Sequence, residues 1–230
     1  MKKGDLRKQE LMDTAEALFC KRGYAQTSVQ DILDQLNTSK GSFYHHFISK
    51  EALLETICRR RAGQRYAACA ESIREEAPPV QNLNALLSGL VPFRDGKLSF
   101  LMMLLPVFSL SEGRMIKQGY CEALAEQFMP AVIAQLRMGH EAKELYCHDP
   151  ENAADIIIAL VNRLWVRICM KMIENERQGT ESDVSEFLRI TSRYRLTAEQ
   201  TAGLPYGSLE LINIPMLKAL SEQIHNHWNQ

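Results

Sequence analysis

The stretch from Thr27 to Phe47, TSVQDILDQLNTSKGSFYHHF, confines this chain more than any other part of it. Val29, Ile32, Leu33 and Leu36 fall at i, i+3, i+4 and i+7, an apolar stripe of helical period, and Thr27 or Ser28 stands just ahead as an N-cap. The spacing predicts a short helix from about residue 28. Asn37 comes next, one of the few residues that tolerate a left-handed backbone, so the helix can stop and turn there without glycine. Thr38 or Ser39 then caps a second helix, in which Phe43 and Phe47 face the first while Lys40, Ser42, Tyr44, His45 and His46 spread around the remaining circumference. Two short helices joined by a tight turn, the second presenting small, aromatic and cationic side chains together, make a unit suited to reading DNA.

The flanks extend the same core. Leu11, Ala15, Leu18 and Phe19 repeat the helical spacing upstream, and Gly23 sits where a left-handed helix end is wanted. Downstream, Ser49-Lys50-Glu51 reads as the capped start of a helix that runs through Ile57 into Arg59-Arg60-Arg61.

From about Leu6 to Ile57 the sequence resembles the amino-terminal DNA-binding domain of the TetR family of transcriptional repressors. The resemblance rests on Gly23-Tyr24, on Thr27-Ser28-Val29 before Asp31-Ile32, on Ser39-Lys40-Gly41-Ser42-Phe43-Tyr44-His45-His46-Phe47, and on Ser49-Lys50-Glu51. Two positions depart from it: Leu33 stands where alanine is common, and Leu36-Asn37-Thr38 replaces an Ala-Gly-Val turn. The resemblance implies an all-α fold, with an N-terminal three-helix DNA-binding domain containing the helix-turn-helix and a C-terminal helical ligand-binding and dimerisation domain. It implies that Thr27, Thr38, Tyr44 and Lys50 hold phosphates and that Lys40, Ser42, His45 and His46 approach base edges. Gly41 either lets the backbone come close to DNA or relieves crowding between helices. It also implies a repressor that binds a palindromic operator in double-stranded DNA as a homodimer and is released by a small-molecule effector. The dimer bundle would come from helices near 150–175 and 215–228.

Charge agrees with a phosphate partner at the front of the chain. Net charge is −1, yet residues 1–65 hold 12 Lys/Arg against 8 Asp/Glu, leaving the remainder acidic. The front cations include Lys2, Lys3, Arg7 and Lys8, for which a merely solvated face is the plain alternative. No apolar segment approaches the ~20 residues that span a bilayer, and no signal peptide opens the chain, so a cytoplasmic protein without membrane partners is expected. Six scattered cysteines fit reduced thiols better than a disulfide framework. There is no Gly-x-Ser-x-Gly, no phosphate-cradling glycine loop and no His-Glu-x-x-His, so no enzyme is expected, and no cofactor. Cys147-His148 and His225-x-His227 are too sparse to suggest a metal.

Pro78-Pro79 must end the helix bearing Ala67, Ala70 and Ile73, which divides the chain into a DNA-binding domain over 1–50, a connecting helix over 51–77 and a helical effector and dimerisation domain over 78–230. Further helices are expected near 82–91, over Lys97–Leu110, over Glu112–Met138 with a bend or break at Pro130, after the Asp149-Pro150 start signal, over Asp183–Arg195 and over Pro215–Trp228. Phe93, Phe100, Met102, Met103, Phe108, Tyr120, Phe128, Trp165 and Met170 could wall a pocket for a lipophilic effector, with Asn162, Arg163 or Arg167 orienting a polar group; core packing is the alternative for each. Two other functions fit the same head, a helical adaptor controlled by a protein partner and a thiol-responsive regulator.

Overall fold

The computed structural model describes residues 3–94, 98–110, 113–180 and 182–228. Lys2, Lys97 and Glu112, and the side chain of Lys3, lie outside the described residues. All secondary structure among them is helical: α1 (Lys3–Arg22), α2 (Val29–Gln35), α3 (Lys40–His46), α4 (Lys50–Ala70), α5 (Pro79–Gly89), α6 (Ser99–Val107), α7 (Gly113–Glu141), α8 (Pro150–Arg177), α9 (Val184–Ala202) and α10 (Ile214–Trp228). None is long and apolar enough to cross a membrane.

By contact the chain forms two units, Met1–Ala62 with Ser99–Ala123, and Gly63–Leu98 with Leu124–Gln230. The first has α1 packed on α2 and α6, and α2 on α3. Its core is Leu11, Ala15, Phe19, Ile32, Leu33, Phe43, Phe47, Leu53, Leu54 and Ile57, the residues whose spacing predicts the helices. Leu33, the larger residue where alanine is common in the family, is fully buried. α6 is buried almost all round, as its unbroken apolar run requires. An ionic clasp ties α1 to α4: Arg60 reaches Asp13 at 2.5 Å and Glu16 at 2.7 Å, and Arg61 also pairs with Glu16, whose carboxylate is buried.

The second unit packs α8 against α9 and α10. Asp149 caps α8 by accepting from the Asn152 amide at 3.0 Å, with Pro150 at the first helical position. Trp165, Ile168, Leu217, Leu220 and Ile224 are buried within the single chain. Arg65 Nε donates to Gly89 O at 2.8 Å and the same guanidinium to Val91 O, closing the C-terminus of α5. Gly89 has no room for a side chain, since a Cβ there would meet Cys69 Sγ at 2.5 Å.

Three expected elements differ. α4 ends at Ala70, well before Pro78, because buried Asn82 offers the Arg74 backbone both partners, Nδ2 donating to Arg74 O at 2.8 Å and Oδ1 accepting from Arg74 N at 3.2 Å. α7 is not broken at Pro130, which is exposed, although the proline removes the donor to the Glu126 carbonyl. α9 continues seven residues past Arg195, burying Ala198 and Ala202, and stops at Gly203 in the left-handed region (φ 64°).

Candidate nucleic-acid interface

The α2–turn–α3 unit is capped at each corner. Ser28 accepts from the Asp31 amide at 3.1 Å, and Asp31 Oδ2 accepts from the Ser28 amide at 2.7 Å, a reciprocal capping box. The Ser28 hydroxyl and amide together hold the exposed Asp31 carboxyl below its usual range. Asn37 adopts the left-handed conformation (φ 47°), and the Thr38 amide returns to Leu33 O at 3.0 Å. Ser39 caps α3 by accepting from the Ser42 amide at 3.3 Å.

On α3, Phe43 and Phe47 are buried with ring centroids 5.8 Å apart. The opposite side carries Lys40, Gly41, Tyr44 and His45, all exposed, Tyr44 by 56%, with Ser42 and His46 half-exposed at the flanks. A Cβ on Gly41 would meet only Ser39 Oγ at 3.8 Å, so the glycine relieves no crowding within the head. The His45 and His46 rings lie edge to face at 4.8 Å. Partial burial, then the neighbouring His45, Lys8 and Arg7 charges, push His46 below the ordinary imidazole value. Lys8 of α1 sits 5.8 Å from the Phe47 ring centroid, so α1 adds charge beside α3.

Two residues expected at phosphates turn inward. Thr27 is buried and its hydroxyl donates to Gly23 O at 2.9 Å, while Gly23 itself takes the left-handed backbone (φ 87°) foreseen for it. Lys50 Nζ donates to Tyr24 O and Thr27 O, each at 3.0 Å, and stands 4.1 Å from the Tyr24 ring centroid. Tyr24 OH donates to Glu51 Oε1 at 3.0 Å, closing the same turn. Thr38 is half-buried in the turn. This set of contacts from Lys50 and Glu51, which brings together residues 23 to 27 positions apart, carries no local sequence signal.

The residues expected around an effector divide between the units. Phe100, Met103, Phe108 and Tyr120 are buried in the first, Phe100 and Tyr120 edge to face at 6.0 Å. Phe93, Phe128 and Trp165 are buried in the second, and Trp165 Nε1 donates to the buried Asn162 Oδ1 at 3.0 Å. Arg167 is exposed and lines an open surface groove of about 570 Å³ with Met170, Lys171 and Glu174, a groove none of these rings lines. All six thiols are shifted upward, with burial the largest cause at each, Cys121 to about 12, which keeps them protonated and poorly nucleophilic at neutral pH.

A capped helix-turn-helix inside an all-helical unit defines the class: a helix-turn-helix protein. Residues 11–57 match the family model of bacterial regulatory proteins, tetR family. The likeness to the TetR family is thus carried by this amino-terminal segment. It is 34% identical over 124 residues to the transcriptional regulator YerO of Bacillus subtilis, covering 52% of this chain and 42% of that protein. It is 35% identical over 80 residues to the transcriptional repressor KstR2 of Mycobacterium tuberculosis, covering 35% of this chain and 40% of that one. The matched part thus spans less than half the length of either relative. The transcriptional regulator FadR of Bacillus subtilis, solved in complex with stearoyl-CoA, shares the fold over 88% of this chain and 99% of its own, with a TM-score of 0.55 at 18% identity.

Proposed function

We propose that the chain is a transcriptional repressor that inserts α3 into the major groove, binds a palindromic operator as a homodimer, and is released by a small lipophilic effector. One observation carries the reading: α3 buries Phe43 and Phe47 and holds Lys40, Gly41, Tyr44 and His45 outward on a helix capped by Ser39. Lysine suits the O6 and N7 acceptors of guanine, imidazole and phenol can donate to bases or phosphates, and a glycine lets the helix backbone come close. Lys40, Ser42, His45 and His46 are assigned to base edges, and Tyr44 and Thr38 to phosphates. Thr27 and Lys50 act from behind, by fixing the turn from which α3 projects. Repressor activity is supported by the name of the KstR2 relative.

One recognition helix reaches only a few base pairs, whereas two related by a twofold axis meet successive groove faces about 34 Å apart. An effector that binds better to a conformation with another spacing lowers operator affinity by its differential affinity for the two states. The buried aromatic and thioether side chains supply lipophilic surface for it, and the complex of FadR, a neighbour in fold, with stearoyl-CoA supports an acyl ligand.

Selection of duplexes from a random-sequence pool by the purified chain tests the reading, with sedimentation of the complex alongside. Enrichment of an inverted repeat, bound as two chains and released by a long-chain acyl-CoA or another lipophile, is expected. A single-copy species that enriches no duplex would overturn it and favour an adaptor. DNA release by oxidant alone would favour a thiol sensor, against which the protonated thiols argue.

A further inference from the structure

Ile48 occupies the step from α3 to α4 and is 86% exposed, more than any other large apolar side chain among the described residues. It does not sit on a frayed end. Phe47 before it is buried in extended backbone (φ −137°, ψ 127°), with its amide bonded to Phe43 O at 2.9 Å. Ser49 after it caps α4, accepting from the Ala52 amide at 3.1 Å, and its carbonyl accepts from Leu53 N at 3.2 Å. Successive side chains of an extended backbone point to opposite sides, so burying Phe47 turns Ile48 outward. β-Branching restricts its rotamers, so fixing it against a surface costs little side-chain entropy.

A single exposed isoleucine is ordinary on a protein surface, and exposure alone decides nothing. Its position does. It follows directly on the segment bearing Tyr44 and His45 and is anchored on both sides by the elements that aim α3. We infer that Ile48 is an apolar DNA contact, packing against a C–H surface of the duplex, either the C5-methyl of a thymine or the edge of a deoxyribose. The inference rests on the reading that α3 faces DNA. It adds to the polar contacts an element that neutral apolar surface alone can satisfy, and with thymine it gives sequence preference without a hydrogen bond.

The test uses the purified chain and a duplex of about 30 base pairs, long enough for two half-sites, recovered by selection from a random-sequence pool. Ile48→Ala is expected to keep the thermal stability of the parent, to weaken binding by roughly tenfold, and to leave the slope of affinity against salt unchanged, because no charge is removed. Ile48→Lys places a cation at the same point and should steepen that slope by about one unit. Replacing each thymine of the duplex by deoxyuridine separates the two surfaces. If one replacement weakens the parent and has no further effect on Ile48→Ala, the partner is that methyl; if none does, it is the sugar edge. Equal affinity and equal salt slope for parent, Ile48→Ala and Ile48→Lys would overturn the inference while leaving the DNA-binding reading intact. Failure of the parent to enrich any duplex would overturn both.

Discussion

At the scale of single residues, two side chains expected at phosphates, Thr27 and Lys50, hold the turn of the head by hydrogen bonds within the chain. Lys50 brings a cation to two carbonyls that end the α1–α2 connection, and hydrogen bonds to charged groups are among the stronger ones. Lys50→Met should therefore cost about 1–3 kcal/mol of stability, read from urea denaturation, before any loss of DNA affinity is considered. Loss of DNA binding with unchanged stability would return Lys50 to the phosphate contacts. Ser28→Ala removes the N-cap of α2 at a cost on the order of 1 kcal/mol. Asp31 titrates below its unfolded value, so its contribution is complete above the ordinary carboxylate range and is lost as pH falls through the lowered folded value. Acid unfolding of Ser28→Ala should show a weaker pH dependence there than the parent. His46 is depressed too, so stability falls as pH drops from the ordinary imidazole value toward the folded one; His46→Gln should flatten a plot of denaturation midpoint against pH across that window.

Helices were legible where an apolar stripe met a capping signal. Ser28, Ser39 and Asp149 mark starts, Asn37 and Gly23 mark left-handed stops, and all five stand in those roles. Legibility failed where burial was achieved by small or polar residues. The last two turns of α9 bury Ala198, Glu199 and Ala202, and an alanine-rich polar stretch gives no contrast between faces. The early end of α4 depends on one buried asparagine eight residues beyond Arg74, which local periodicity cannot see. In the candidate interface the exposed face of α3 could be read from Phe43 and Phe47, whereas the inward turn of Thr27 and Lys50 required the tertiary contacts. The clasp of Glu16 with Arg60 and Arg61 is of that second kind as well. Glu16→Ala removes the buried carboxylate that Arg60 and Arg61 share, but Arg60 keeps Asp13 and Arg61 is part-exposed, so the cost should be about 1 kcal/mol, measured by denaturation at low and high salt.

On the scale of the whole molecule, the sign of charge differs between front and back of a nearly neutral chain. Association with DNA should therefore weaken steeply with ionic strength although the protein as a whole is slightly acidic, since local rather than net charge displaces counterions. A salt titration of the selected duplex against an unrelated one checks this: both affinities should fall with salt, and their ratio should change little. Dimerisation, if it uses α8 and α10, must rely on their outer faces, because Trp165, Ile168, Leu217, Leu220 and Ile224 are already spent inside one chain.

The asparagine at the bend has a kinetic side. A glycine there would give the unfolded and partly opened head many more backbone states, whereas Asn37 restricts them while still reaching the required φ. The angle between α2 and α3 is then set before any duplex arrives, and docking has little ordering left to do. Encounter should accordingly look like the meeting of two rigid bodies, fast and with a heat-capacity change accounted for by the contact surface itself.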